Sequence, residues 1–182
     1  MIDKAQSRRS FLTMGLGAAA TLMVVNPLEA AVRRMPERSL HLYNTHTGES
    51  LKTVYWADGR YHTKSITQIS RFLRDHRNGA VHPIDPRLLD LVVSVQRKVG
   101  AKGAVHIISG YRSPATNAML ASYSDGVASH SLHMEGRAVD IRLPGHSIRH
   151  VGRAALSLKA GGVGAYPASD FVHIDTGRIR TW

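Results

Sequence analysis

Cysteine is absent, and that single absence removes several chemistries at once. No disulfide, thiolate metal site or cysteine nucleophile is available, so any bound metal must be held by histidine, aspartate or glutamate. The nucleophile-elbow pattern G-x-S-x-G is also missing, which disfavours a serine hydrolase of that type. There is no internal repeat, heptad array or low-complexity tract. Acidic residues are scarce, 13 against 24 lysines and arginines, giving a formal charge of +11. Such a balance raises nucleic acid as a partner, but no basic stretch interleaved with aromatics forms a stacking platform. What remains is globular composition, with 43% apolar and 20% charged residues, and 182 residues suffice for one domain with a proper core.

The first 30 residues explain where the positive charge works. Ser7-Arg8-Arg9-Ser10-Phe11-Leu12 resembles the twin-arginine export signal of bacteria, with Thr13 where a lysine is usual. A short apolar run follows, too short to make a good membrane span, and then small residues around Ala30 that suit a signal peptidase. Residues 1–30 read as the signal, residues 31–39 as a polar linker and residues 40–182 as the working domain. Cleavage near Ala30 takes away Lys4, Arg8 and Arg9 together with Asp3 and Glu29, so the exported chain keeps about +10. Outside the cytoplasm, in a periplasm, such a surface meets the carboxylates of the wall and acidic lipid headgroups, which leaves peripheral association with the envelope open. Nothing in the sequence sets an oligomeric state.

Local patterns predict an α+β fold with a mainly antiparallel sheet flanked by helices. LHLYN and LKTVYW alternate as a strand pair, and Asp58-Gly59 marks a turn. A helix fits residues 65–79, with Ser65 as its cap, Ile66, Ile69, Phe72 and Leu73 on one face and Gly79 as its stop. A second fits residues 85–100: Asp85 caps, Pro86 enters the first turn, Leu88, Val92, Val95 and Val99 make the buried stripe, and Gly100 ends it. AVHIISGYRSP is a short strand that delivers Arg112 to its end, before Ser113-Pro114 opens another helix. RAVDIRL is a strand, Ser147 caps a helix to about Lys159, AGGVGAY is glycine-rich, and DFVHIDTG closes the chain's last patterned segment.

Period-two alternation places Ala138 and Asp140 on one face of their strand, and Phe171, His173 and Asp175 on one face of theirs. With Val139, Ile141, Val172 and Ile174 turned to the core, adjacent pairing would bring Asp140 and His173 together. His133 precedes the first strand, and Gly136 gives the bend between them its freedom. Two histidines and a carboxylate meet the needs of a catalytic zinc site, which keeps one position for water or substrate. By spacing alone, a histidine or aspartate on a strand is more often a hydrogen-bonded structural residue.

The pattern Ser131-x-His133-x-x-Gly136-x-Ala138-x-Asp140, with the later His173-x-Asp175, resembles the zinc site of the D-Ala-D-Ala peptidase group. That group shares a superfamily with lysostaphin-like enzymes and the hedgehog signalling domain. SGYRS upstream and GGVGAYP...FVHIDTG downstream are similar to its murein endopeptidase K-like branch, and the resemblance runs from about Leu40 to Trp182. It implies a hedgehog/D-Ala-D-Ala peptidase-like fold and a zinc-dependent endopeptidase cutting peptide crosslinks of peptidoglycan, those involving diaminopimelate. It also implies His133, Asp140 and His173 as ligands of one Zn²⁺, and Arg112 as the group that holds substrate or stabilises the oxyanion. Ser131 either orients the site or forms the turn. Relatives that cut dipeptides carry a glutamate three residues before the last zinc histidine; Asp170 stands there as candidate general base, with Asp175 and Glu135 as further carboxylates. Of the remaining histidines, with structural or solvated explanations, His130 is set apart for attention. A second reading keeps the fold but makes the protein a peptidoglycan-binding module whose zinc is structural or non-catalytic.

Overall fold

A computed structural model of the chain describes residues 36–124 and 128–182. The signal and most of the linker predicted above therefore lie outside the described residues. Eight strands form one sheet in the order β3-β2-β1-β4-β5-β7-β6-β8. They are β1 (Arg38–Asn44), β2 (Ser50–Ala57), β3 (Arg60–Tyr61), β4 (Val105–Ser109), β5 (Ala138–Arg142), β6 (Gly162–Tyr166), β7 (Phe171–Asp175) and β8 (Arg180–Thr181). Only β1 against β4 and β6 against β8 run parallel, so the sheet is mainly antiparallel as expected. Among the described residues, four helices accompany it: α1 (Thr63–Phe72), α2 (Pro86–Val99), α3 (Pro114–Tyr123) and α4 (Ile148–Ser157). Among the described residues, no helix is long and apolar enough to cross a membrane.

α2 follows its sequence signals closely. The Asp85 carboxylate accepts the N–H of Arg87, Pro86 occupies the first turn where no donor is needed, and Gly100 ends the helix in the left-handed conformation. Its apolar stripe, with Leu88 and Val95 fully buried, packs on β1, β7 and α4. Truncating a side chain like Leu88 to alanine costs about 2–5 kcal/mol, because the cavity left behind adds to the lost transfer energy. The same core takes Val139 and Ile141 from β5 and Val172 and Ile174 from β7. Those four fix the register, because a one-residue slip would turn all of them away from the core.

α1 departs from expectation at both ends. His62, not Ser65, is its N-cap residue, and no side chain closes the cap. Ser65 lies inside the first turn and accepts a hydrogen bond from the Thr53 hydroxyl. The helix stops at Leu73, well before Gly79, because other partners claim the backbone. The Leu73 carbonyl takes the N–H of Tyr111, and the buried Asp75 carboxylate takes the N–H groups of Arg77 and Ser113. Burial opposes the charge of Asp75, but hydrogen bonds from Thr116, Ser113 and Arg77 outweigh it and hold its carboxyl below the usual value. The end of α1 is thereby tied to the SGYRS segment. Strand β1 begins at Arg38, two residues ahead of Leu40, and the glycine-rich stretch becomes strand β6.

Candidate metal centre

Three local devices bring distant residues to one point. The first is register: Asp140 on β5 lies directly opposite His173 on β7. The second is a single 3₁₀ turn, Leu132–Glu135, capped by Ser131, whose hydroxyl accepts the His133 N–H. Gly136 ends that turn at φ 65°, and a Cβ there would sit 2.2 Å from the Pro83 carbonyl oxygen, so only glycine fits. The third is the SGYRS segment, which grips His133 from both sides. The Gly110 carbonyl accepts from His133 Nδ1 at 2.7 Å, and Arg112 N–H donates to the His133 carbonyl at 3.2 Å.

The result is a buried group. His133 Nε2 and Asp140 Oδ1 are 3.2 Å apart, His173 Nδ1 and Asp140 Oδ1 2.9 Å, and the two histidine nitrogens 3.2 Å. His133 is 0% exposed, Asp140 5% and His173 9%. The protons can be assigned from the outer partners. Gly110 offers only a carbonyl, so His133 Nδ1 must be the donor and Nε2 keeps its lone pair. Asp175 Oδ2 accepts from His173 Nε2 at 3.1 Å, which leaves His173 Nδ1 bare. Two nitrogen lone pairs and a carboxylate oxygen thus converge with no proton of their own between them. A cation resolves that repulsion, and the donor set suits a divalent metal. His133, Asp140 and His173 form a group that could hold a metal ion, the one such group found among the described residues.

The protonation states of His133 and Asp140 agree with this, while His173 favours the positive charge that a cation would replace. Burial pulls His133 below its ordinary value and keeps it neutral. Burial opposes the charge on Asp140, but His133 and His173 outweigh it and hold the carboxyl well below the usual range. His173 is raised: burial works against its charged form, while the hydrogen bonds to Asp140 and Asp175 prevail. Asp175 is fully buried, and it also accepts from the N–H groups of Gly162 and Gly177 and from both terminal nitrogens of Arg180. Asp175 therefore orients His173 and does not face the cleft.

The group lies at the floor of a cleft of about 460 Å³. Arg112, His130, Ser131, Tyr166, Phe171 and Trp182 help to line it. Arg112 is mostly buried. Its Nη2 lies 3.4 Å from Asp140 Oδ2, the carboxylate oxygen turned away from the histidines, and its Nε finds no acceptor among the described residues. That Nε is closed off from solvent, so an incoming carbonyl or carboxylate would meet the part of the Arg112 side chain that lines the cleft. Asp170 is not brought into the cleft lining. It sits in the left-handed conformation at φ 53°, its carboxylate pairs with Arg142 at 2.7 Å, and its side chain is 60% exposed. Aspartate is one methylene shorter than glutamate, and Arg142 has captured what reach it has. Glu135 likewise pairs with Arg137. The sequence reading missed Trp182 and Tyr166 as lining residues. The Tyr-Pro and final Trp were visible, but Tyr166 is placed by the pairing of β6 with β7, and Trp182 by the parallel pairing of β8 with β6, which sets its ring 5.2 Å from that of His173.

An antiparallel sheet carrying a buried His-Asp-His group at the floor of a cleft defines an α+β protein with a metallopeptidase-like centre. The chain belongs to the peptidoglycan L,D-endopeptidase MepK family, whose profile matches residues 32–182. It is 41% identical over 177 residues to the Escherichia coli (strain K12) peptidoglycan L,D-endopeptidase MepK, covering 97% of each chain, and equally so to that of Shigella flexneri. The probable peptidoglycan L,D-endopeptidase MepK of Haemophilus influenzae is 36% identical over 178 residues, covering 97% of this chain and 96% of its own. No solved structure gives a significant match.

Proposed function

We propose that this protein is an exported zinc peptidase that hydrolyses peptide crosslinks of peptidoglycan, those involving diaminopimelate. The observation that carries the reading is the convergence of two bare histidine nitrogens and one carboxylate oxygen beneath an open cleft. In this reading His133, Asp140 and His173 hold one zinc ion per chain. Zinc bound there supplies Lewis acidity, which activates water and polarises a peptide carbonyl.

The protein's own groups do the rest. Arg112, whose side chain reaches the cleft lining, meets the substrate carbonyl or a neighbouring carboxylate, and Asp140 Oδ2 steadies the guanidinium. Asp175, clamped by Arg180, keeps His173 Nδ1 aimed inward. Ser131 sets the turn that carries His133. For proton transfer, His130 stands in the cleft lining already, whereas Asp170 would have to leave Arg142 first.

The assay is direct. Isolated sacculi incubated with the zinc-loaded protein should release soluble muropeptides, followed by chromatography. Asp170→Asn should stay within about threefold of the parent and His130→Asn should lose about 10²-fold, the range for one proton-transfer group. Persistent binding with no new fragments would favour the wall-binding alternative, in which the zinc is structural. The reverse ranking of the two variants would return the base to Asp170.

Export by the twin-arginine route is part of the same reading, supported by Arg8 and Arg9 and by a surface charge suited to the anionic wall. Changing both arginines to lysine should leave the protein in the cytoplasmic fraction, and unimpaired appearance in the periplasm would end the idea.

A further inference from the structure

Trp182 is the largest side chain in the cleft lining that the metal centre and its supports leave unexplained. Its ring is held on several sides. The indole N–H donates to the Tyr166 hydroxyl, and the Arg180 guanidinium carbon stands 4.9 Å from the ring centroid. The His173 ring lies 5.2 Å away, tilted by 52°. Gly164 makes the space: a Cβ there would come within 2.7 Å of the indole Cε2 and Nε1. Tyr166 in turn stacks on Phe171 at 4.6 Å, so three aromatic rings stand side by side along one edge of the cleft. Yet Trp182 remains 52% exposed, an uncommon expense for an indole so carefully seated.

We infer that Trp182 is a specificity-determining residue, a preset wall on which the aliphatic stem of the substrate's diamino-acid side chain lies beside the scissile bond. The inference rests on the peptidase reading above and adds the group that selects the side chain. With its N–H spent on Tyr166, the free surface of the indole offers no hydrogen-bond donor. It rewards a flexible run of methylenes and gives nothing to a short polar side chain. Because Tyr166, Arg180 and Gly164 already fix the ring, binding costs little side-chain entropy, which is how a single aromatic becomes an anchor.

The test uses the zinc-loaded protein and a purified muropeptide dimer joined through diaminopimelate. Trp182→Ala should raise KM about tenfold, keep kcat within about threefold and leave the zinc content at one per chain, while Trp182→Phe recovers most of the loss. Gly164→Ala, which pushes the ring from its seat, should resemble Trp182→Ala. Unchanged KM in Trp182→Ala overturns the inference, and so does a loss of zinc, which would make the ring only a support for His173. If the parent cleaves no dimer, the peptidase reading itself fails, and tryptophan fluorescence then decides about the wall. A dimer-induced change present in the parent and lost in Trp182→Phe upholds it, and no change in the parent removes it.

Discussion

His133→Ala is expected to lower muropeptide release by about four orders of magnitude, equal to about 5.5 kcal/mol of transition-state stabilisation. The size follows from what the side chain does in this structure. His133 is fully buried, its Nδ1 is committed to Gly110, and its Nε2 is one of three converging donors. Alanine leaves two protein donors, too few for a stable catalytic zinc site. Metal analysis should therefore find zinc in the parent and little in the variant. A chelator should abolish parent activity and added zinc restore it, with no recovery in His133→Ala. Because the imidazole is packed in the interior, circular dichroism and a thermal melt must accompany the assay. A folded variant that retains both metal and turnover would dismantle the proposed site.

Arg112→Ala is expected to lower kcat/KM by about 10²-fold to 10³-fold, the effect of losing one donor to developing negative charge. Zinc content should not change. The guanidinium contacts only Oδ2 of Asp140, at 3.4 Å, while Oδ1 serves the histidines, so the ligand keeps its place without it. Arg112→Lys should recover little, since an ammonium cannot reproduce the planar fork. A fall confined to kcat would assign Arg112 to the oxyanion, and a rise confined to KM would assign it to the substrate carboxylate. A change under about threefold in both would remove it from the chemistry.

Much of the centre was legible because strand periodicity is unforgiving. Val139 and Ile141, like Val172 and Ile174, had to face the core, so Asp140 and His173 had to share the other side. α2 was equally plain, since its cap, proline, stripe and terminal glycine all agree. The ends of α1 were hidden because long-range partners chose them: Tyr111 takes the Leu73 carbonyl, and Thr53 takes Ser65. Asp170 shows the same limit at the site. Its distance from His173 along the chain matches that of the glutamate expected from the dipeptide-cutting enzymes it resembles, but the capture of its carboxylate by Arg142 depends on a neighbour 28 residues away. Strand β6 was missed because glycines carry little strand signal, and Gly164 serves the tryptophan rather than propensity.

The order of the donors along the polypeptide has a consequence for the cell that makes this protein. His133 and Asp140 emerge first from the ribosome, but the third donor arrives only with β7, the partner strand that aligns Asp140. A nascent chain halted anywhere earlier lacks His173, so it cannot complete the proposed metal site. Only a chain extended through β7 can complete the proposed site.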